Sequence, residues 1–284
     1  MAEPSLIHQY VRVLTIAGSD SGGGAGIQAD LKTIAALGCY GMSAITALTA
    51  QNTRGVTAIH SAPPEFLAAQ IDAVIGDIGA HAVKIGMLHS PQIVSTVAQA
   101  IDRHALSNVV LDPVMVSATG APLIETAAVQ AVVHELFPRA VVITPNVDEA
   151  ALLLGRPIKS VGELAPAARA LMDLGARAVL LKGGHLPGEQ VFDYLVLAGG
   201  NGEPVMHEMR SARIHSRNLH GAGCTLSSAL ASYIALGLPL QRAVESARDY
   251  VQQALAAGAD VRTGEGVGPL NHGFAPSPLL KLQA

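Results

Sequence analysis

Hydrophobic and polar residues alternate along this chain with two different periods. Short runs rich in Val, Ile, Leu and Ala predict β-strands, whereas apolar residues recurring every three or four positions predict helices. The predicted strands span 12–18, 42–50, 55–60, 81–86, 108–112, 140–144, 176–184 and 190–198. The predicted helices span 24–38, 63–78, 91–104, 125–136, 146–154, 160–174, 223–236 and 240–257.

The order of these elements indicates the architecture. Repeated strand–helix units favour a mostly parallel central sheet with helices on both faces, which is an α/β fold. No internal repeat, low-complexity tract or linker-like stretch interrupts the 284 residues. We therefore predict a single domain over residues 1–284. Within it, about residues 1–11 would form a peripheral extension, and segments near 39–60 would form a small lid.

The composition supports a large buried core and excludes several classes of protein. Half of the residues are hydrophobic and 14% are charged, so the chain can bury enough apolar surface to fold. The formal net charge is −4 and no long Lys/Arg run occurs, which gives no reason to expect a nucleic-acid partner.

Neither a membrane span nor a disulfide framework is expected. No stretch of about 18 uninterrupted apolar residues occurs, and the N-terminal sequence MAEPSLIHQY lacks the layout of a signal peptide. The two cysteines, Cys39 and Cys224, do not form a CxxC pair. We expect a cytoplasmic protein in which Cys39 is a small buried apolar side chain.

Polar and glycine-rich segments follow several of the predicted strands. Ligands of open α/β sheets bind beyond the carboxyl ends of the strands, so these segments mark a candidate site. The first, AGSDSGGGAGIQAD at 17–30, has glycines that let the backbone approach a ligand just before a helix start. A tight strand-to-helix turn is the other interpretation. Asp20 and Asp30 could contact a ligand or simply belong to the helix start.

Two further segments could serve a nucleotide and its metal ion. Asn146 and Glu149 share a helix face, so an amide and a carboxylate could hold Mg²⁺ through its waters. The same spacing also fits an N-cap with a capping-box Glu. Lys182 precedes two glycines and could meet polyphosphate oxygens, although a solvated Lys at a strand end is more common. Asp112 could serve a metal or a ligand, or begin an ordinary Asp-Pro turn.

The most specific segment is NLHGAGCTLSSALASYIALG at 218–237. Gly221 and Gly223 leave the N–H groups of the first helical turn free to face an anion, such as a transferring phosphoryl group. Cys224 lies at the same helix start, where the helix dipole is expected to lower the thiol pKa and let it act as a base. A glycine-rich turn with a buried Cys is the alternative. Several such segments in one α/β chain favour a single ligand cleft.

These segments together resemble the hydroxymethylpyrimidine/phosphomethylpyrimidine kinases, which have the ribokinase-like fold. The resemblance runs in order from about residue 12 to residue 274. The resembling segments are 17–33, 46–56, 84–88, 109–115, 143–153, 180–185 and 218–231, together with the run GEGVGPLNH at 264–272.

The resemblance implies an activity. The family uses ATP and Mg²⁺ to phosphorylate 4-amino-5-hydroxymethyl-2-methylpyrimidine, and then its monophosphate to the diphosphate, in thiamine biosynthesis. The resemblance also suggests a homodimer. A pyridoxine/pyridoxal kinase of the same fold is the nearest alternative, because that substrate carries a similarly placed hydroxymethyl group. A non-catalytic ligand sensor is disfavoured by the presence of Lys182 and Cys224, and a dehydrogenase is suggested only by the first glycine cluster.

The resemblance also implies roles for individual residues. The positions implied for the pyrimidine are Gly18 and Gln51 as contacts, Met87 and Val114 as pocket lining, and Asp30 nearby. The positions implied for ATP and catalysis are Asn146, Lys182, Gly221, Ala222, Gly223 and Cys224, with Cys224 as the base and Asn146 and Glu149 near Mg²⁺. Leu219 and Ala222 depart from the family pattern, which has Thr at both positions. Ala222 loses a hydroxyl but keeps its backbone N–H, whereas the sequence does not indicate what Leu219 changes.

Overall fold

A central β-sheet with helices on both sides organises the part of the chain that the computed structural model describes, residues 8–116, 123–200 and 203–283. The strands are β1 (His8–Tyr10), β2 (Arg12–Asp20), β3 (Tyr40–Asn52), β4 (Gly55–Ser61), β5 (Ala82–Ile85), β6 (Val109–Leu111), β7 (Val142–Ile143), β8 (Ala178–Lys182), β9 (Gln190–Leu197), β10 (Val205–Ala212) and β11 (Lys281–Gln283). The helices are α1 (Gly26–Ala36), α2 (Pro64–Asp77), α3 (Pro91–Arg103), α4 (Thr126–Ala131), α5 (Val147–Leu154), α6 (Leu164–Asp173), α7 (Ala222–Ala235) and α8 (Leu240–Ala257).

The sheet has nine strands in the order β10-β9-β8-β7-β6-β5-β2-β3-β4. The strands from β8 to β3 in this order are parallel, whereas β4, β9 and β10 pair antiparallel with their neighbours. The predicted mostly parallel α/β sheet is therefore confirmed. The chain enters at β2, adds β3 on one side and β5 on the other, and so creates a switch point beside the end of β2, where such folds bind ligands.

Strands β2 and β5 to β9 each contribute to two separate cores. In β6, Val109 and Leu111 pack with the helices α2 to α6 on one face, and Val110 packs with α1, α7 and α8 on the other. This division follows from the strand geometry, because successive side chains point to opposite faces. A parallel sheet covered on both faces needs apolar residues in every position, which explains why its strands appear as continuous hydrophobic runs.

Two strand pairings and one helix differ from the sequence prediction. β10 is an unpredicted edge strand, and its mixed, half-exposed sequence VMHEMRSA lacks the apolar run of a central strand. β1 pairs with β11 in a small separate sheet, so residues 8–10 of the predicted extension form a strand, whereas residues 1–7 lie outside the described part. The predicted helix 125–136 is α-helical only to Ala131 and continues as a π-helical turn to Leu136.

The predicted lid region corresponds to the β3–β4 hairpin at one edge of the sheet. Its turn contacts the C-terminal segment, because the carbonyl oxygen of Thr53 accepts a hydrogen bond from Val267 N–H at 2.9 Å. Gly266 N–H also donates to Thr53 Oγ1 at 3.1 Å. Movement of this hairpin stays a prediction. No helix in the described ranges is both long enough and apolar enough to cross a membrane.

Candidate active site

One cavity of about 1200 Å³ lies beyond the carboxyl ends of the central strands. Its walls come from the segments that follow β2, β5, β6, β7 and β8, and from the first turn of α7. The predicted site residues in its lining are Gly18, Gln51, Met87, Val114, Asn146, Glu149, Lys182, Gly221, Ala222, Gly223 and Cys224. Asp30 is the exception, because its side chain is completely buried behind the wall and does not line the cavity.

Asp20 holds the glycine-rich loop between β2 and α1. Its carboxylate accepts hydrogen bonds from the N–H groups of Gly22, Gly24 and Ala25, at 2.8 to 3.0 Å. His220 Nε2 lies 2.8 Å from the same carboxylate. Burial alone would raise the pKa of Asp20, but the contact with His220 and the backbone hydrogen bonds lower it below its usual value. Asp20 thus organises the helix start, which is one of its two predicted roles.

The two glycine-rich loops of the site are in direct contact. Gly221 has a φ of +82°, and a Cβ atom at this position would lie 1.8 Å from the carbonyl oxygen of Gly24, so glycine is required there. A Cβ atom on Gly24 would in turn lie 2.4 Å from the ring of His220. This close approach places the N-terminus of α7 against that of α1.

The end of the cavity near β2 and β3 is apolar. Ala47, Met87 and Leu123 form a small core there, and Val114 is among the partly buried residues packed against it. Gly18 adjoins this core, because a Cβ atom on it would lie 3.1 Å from Met87 Sδ. Such a surface suits the face of a small aromatic ring.

The amide of Gln51 also lines the cavity. Gln51 Oε1 accepts a hydrogen bond from Thr49 Oγ1 at 3.1 Å, and Gln51 Nε2 lies 3.4 Å from His220 Nε2. An amide both donates and accepts hydrogen bonds, so it can distinguish the polar edge of one ring from another. Of the four predicted pyrimidine residues, Gly18, Met87 and Val114 therefore lie close together, and Gln51 lines the same cavity.

The opposite wall carries a buried cation. Lys182 Nζ lies 2.9 Å from Asp112 Oδ1, which also accepts a hydrogen bond from Thr144 at 2.9 Å. Burial disfavours the charge of Lys182, but Asp112 and Glu149 raise its pKa above the usual value, so it stays protonated. A Cβ atom on Gly223 would lie 3.3 Å from Lys182 Nζ, so the ammonium sits at the start of α7. Lys182 is therefore not a solvated strand-end residue.

Asn146 and Glu149 form the predicted capping box at the start of α5. Asn146 Oδ1 accepts from Glu149 N–H at 2.9 Å, and Glu149 Oε2 accepts from Asn146 N–H at 2.8 Å. Burial and the neighbouring carboxylate of Asp112 raise the pKa of Glu149 to about 7, although Lys182 opposes this change. The described residues contain no group of three or more His, Cys, Asp or Glu side chains that could hold a metal directly.

The pKa of the Cys224 thiol differs from the sequence expectation. Burial raises the pKa of its thiol to about 11, whereas the helix start was expected to lower it. Lys84 is the strongest opposing influence, and the N–H group of Gly26 also favours the thiolate. The prediction of a lowered pKa was therefore wrong, because removing the thiolate from water outweighs the favourable groups around it.

Sequence reasoning missed Lys84 as a residue of the cavity wall. Lys84 is an entirely buried strand residue that pairs with Asp30, and it contributes to the cavity wall. A Lys inside an otherwise apolar strand was the available signal, because such a charge is rarely buried without a partner. Asp30 therefore contacts this ammonium and does not reach the cavity surface, contrary to its expected place beside the pyrimidine pocket.

The two departures from the family pattern lie at the cavity wall. Leu219 is 49% exposed, which leaves a large apolar side chain at the cavity mouth. The backbone N–H of Ala222 donates to the carbonyl oxygen of Leu219 at 3.2 Å, so this donor is already used within the turn. The structure offers no physical reason for Leu at position 219.

Comparison with known proteins identifies the family. The model of the phosphomethylpyrimidine kinase family matches residues 20–271. The chain belongs to this family. A hydroxymethylpyrimidine/phosphomethylpyrimidine kinase of Rhizobium meliloti is 48% identical over 260 residues, which cover 91% of this chain and 96% of the relative.

Solved structures agree with the fold and extend the comparison. A phosphomethylpyrimidine kinase from Clostridium difficile 630 is 42% identical, with a TM-score of 0.74 over 86% of this chain and 99% of the other. An ADP complex of Bacillus subtilis pyridoxal kinase is 35% identical, with a TM-score of 0.84 over 93% of this chain and 98% of the other. This member of the phosphomethylpyrimidine kinase family therefore has a backbone that it shares with kinases named for two different substrates.

Proposed function

We propose that this kinase transfers the γ-phosphoryl group of ATP to 4-amino-5-hydroxymethyl-2-methylpyrimidine, and then a second phosphoryl group to the resulting monophosphate. The observation that carries this proposal is the division of one cavity into two chemically different ends. An apolar surface with the Gln51 amide suits the ring, and Lys182 beside the start of α7 suits the phosphates.

In the first reaction the hydroxymethyl oxygen is the nucleophile. It attacks the γ-phosphorus, its proton passes to Cys224 Sγ, and the bond between the γ-phosphorus and the ADP oxygen breaks. Lys182 and the N-terminus of α7 stabilise the charge of the transferred group. Since the thiol pKa is about 11, the thiolate that accepts the proton is a minor form near neutral pH.

The second reaction makes a weaker demand on the base. Its nucleophile is a phosphate monoester, whose second pKa is about 6, so it is already largely ionised at neutral pH. The same cation and helix terminus stabilise the transferred group, whereas Cys224 is no longer needed to remove a proton.

The residues at the start of α5 fit a divalent cation. The buried carboxylate of Glu149 lies close enough to Asp112 for the two negative charges to repel each other, which is an environment that a cation relieves. Asn146 and Glu149 would hold Mg²⁺ through its waters, and the ion would neutralise part of the charge of the ATP phosphates.

The remaining part of the cavity suits the adenosine of ATP. Ile214, Val251 and Leu255 line it with apolar side chains, and Arg248 and Gln252 add polar groups from α8. A nucleoside needs this combination of a flat apolar surface and a few hydrogen-bonding groups.

Pyridoxal is the second candidate substrate, favoured by the TM-score of 0.84 to the Bacillus subtilis pyridoxal kinase. A coupled assay of ADP formation with Mg²⁺ and each of the hydroxymethylpyrimidine, its monophosphate and pyridoxal separates the two functions. We expect turnover of both pyrimidines, and pyridoxal turnover that is slower. Turnover of pyridoxal alone would overturn the proposal. The homodimer and the cytoplasmic location stay predictions.

A further inference from the structure

A second Lys–Asp pair lies beneath the first turn of α7, and the mechanism above does not use it. Lys84 Nζ is 2.9 Å from both carboxylate oxygens of Asp30, and both side chains have no exposed surface. Apolar residues of similar volume often replace buried ion pairs without loss of stability. Stability alone therefore does not explain why two charges are placed here.

The pair lies on the same face of α7 as the candidate base. Ser228 Oγ donates a hydrogen bond to Asp30 Oδ1 at 2.7 Å. Cys224 and Ser228 are four residues apart in α7, so their side chains lie one above the other. Cys224 therefore lies one helical turn from the serine that binds Asp30, and Cys224 and Lys84 line the same cavity.

The ammonium of Lys84 is held in one position. Besides its two contacts with Asp30, it is enclosed so tightly that a Cβ atom on Gly86 would lie 2.8 Å from Nζ. Asp30 is itself fixed by Thr15, whose hydroxyl donates to Oδ2 at 2.6 Å. A buried charge that is held in place acts strongly on its neighbours, because no water screens it.

Four charged side chains act on Cys224. Lys84 comes from β5 and Asp30 from α1, while Asp112 follows β6 and Lys182 ends β8. Of these groups, Lys84 has the largest influence in favour of the thiolate, and Asp30 and Asp112 oppose it. The Gly26 N–H group adds a hydrogen bond at the start of α1. Lys84 is thus the main counter-charge of the sulfur.

We propose that Lys84 is a positioning residue whose buried ammonium stabilises the thiolate of Cys224, while Asp30 fixes the ammonium and limits its effect. The thiol proton leaves to solvent, and the thiolate then accepts the hydroxymethyl proton in the first phosphorylation. This inference rests on the proposed role of Cys224 as the base.

The test is the rate at which iodoacetamide alkylates Cys224 between pH 7 and pH 10, followed by mass spectrometry of the intact enzyme. Only the thiolate reacts, so the rate reports its abundance. The variants are Lys84→Gln and Asp30→Asn, which each remove one charge and keep a polar side chain. Cys224→Ser gives the background from Cys39, which is buried.

The two variants should change the rate in opposite directions. We expect alkylation at pH 8 to fall about tenfold or more in Lys84→Gln, and to rise in Asp30→Asn, since one pKa unit corresponds to a tenfold change in thiolate. A merely structural role would loosen the site in both variants and raise both rates. Equal rates in the wild-type protein and Lys84→Gln, or a rise in Lys84→Gln, would overturn the proposal.

A double variant keeps the test decisive if Lys84→Gln does not fold. Lys84→Met combined with Asp30→Leu removes both charges and leaves none unpaired. Because the influence of Lys84 on the sulfur exceeds that of Asp30, alkylation should still be slower than in the wild-type protein. A rate equal to or above that of the wild-type protein would contradict the proposal.

Kinase assays of the same variants separate this inference from the function on which it rests. If Lys84 acts through Cys224, the pH at which the first phosphorylation is half-maximal should rise in Lys84→Gln together with the alkylation profile. A shift in alkylation without any shift in kinase activity would support the role of Lys84 and would overturn Cys224 as the base. Unchanged alkylation with normal kinase activity would overturn the role of Lys84 and would leave Cys224 as the proposed base.

Discussion

The two Lys–Asp pairs on either side of α7 have the same construction but different surroundings. Each carboxylate accepts hydrogen bonds from a lysine, from a threonine and from one of two consecutive serines of α7. In the inner pair, Lys84 and Asp30 have no exposed side-chain surface, whereas Lys182 in the outer pair is 13% exposed and faces the cavity beside Gly223.

This difference shows how one motif can serve two purposes. A partly exposed cation at the cavity wall can exchange its carboxylate contact for a phosphate, whereas a cation with no exposed surface acts on its neighbours through its field and through the residues it orders. The outer pair is therefore suited to binding a ligand, and the inner pair to adjusting a neighbouring group.

Loss of the inner cation should affect stability most. Lys84→Met leaves the Asp30 carboxylate buried without its partner, and breaking such a pair costs about 3–5 kcal/mol. Urea denaturation at pH 7 measures this loss, and the double variant Lys84→Met/Asp30→Leu should regain most of it. A loss below about 1 kcal/mol would mean that Asp30 finds another partner or is protonated.

Loss of the outer cation should affect activity more than stability. Lys182→Gln should lower kcat/KM for both phosphorylations by about 10²–10³, which is typical for removal of a group that stabilises a developing anion. Steady-state kinetics with both pyrimidines measure this effect, with Lys159→Gln as an exposed control outside the cavity lining. A loss confined to one of the two phosphorylations would contradict a shared phosphate site.

Substitution of the proposed base should separate the two reactions. Cys224→Ser should slow the first phosphorylation by about 10²-fold, within the usual range for a general base. The second should change by less than about threefold, because its nucleophile is already ionised near neutral pH. Separate assays starting from the alcohol and from the monophosphate measure the two rates. Equal losses would show that Cys224 serves something other than proton removal.

The two serines of α7 offer a matched pair of smaller changes. Ser228→Ala removes a 2.7 Å hydrogen bond to Asp30 and should cost about 1–2 kcal/mol of unfolding free energy. Ser227→Ala should cost less, since its hydroxyl lies 3.2 Å from Asp112 and also contacts the carbonyl oxygens of Gly223 and Cys224. Denaturation curves at pH 7 provide both values, and the reverse order would argue against a more tightly bound inner pair.

Lowering the pH should weaken the outer pair by protonating Asp112. Burial would raise the pKa of this carboxyl group, but Lys182 and Lys84 lower it below the usual value. Its contribution to stability is therefore present above the unfolded pKa of about 4, and it is lost as the pH falls through the lower folded pKa. Between pH 5 and pH 3, the unfolding free energy of Asp112→Asn should fall less steeply than that of the wild-type protein. Identical slopes would show that Asp112 does not titrate differently on folding.

Much of the fold could be predicted because local patterns and tertiary packing agree. α8 was predicted with the bounds 240–257 that the structure has, since its apolar face repeats with the helical period. β10 was missed because an edge strand such as VMHEMRSA buries little and shows no apolar run. The small sheet of β1 and β11 pairs the two ends of the chain, and no local pattern predicts a partner so far away.

The sequence by itself determined which chemical groups are available and which loops carry them. The Asn146–Glu149 capping box and the glycines beside Cys224 are local features, so their spacing was sufficient to predict them. The tertiary structure alone decided what surrounds these groups. Lys84 and Asp30 are 54 residues apart and meet only because α1 packs against β2 and β2 pairs with β5. The pKa of Cys224 depends on burial and on charges that are distant along the chain. The direction of its shift could therefore not be predicted from the local sequence.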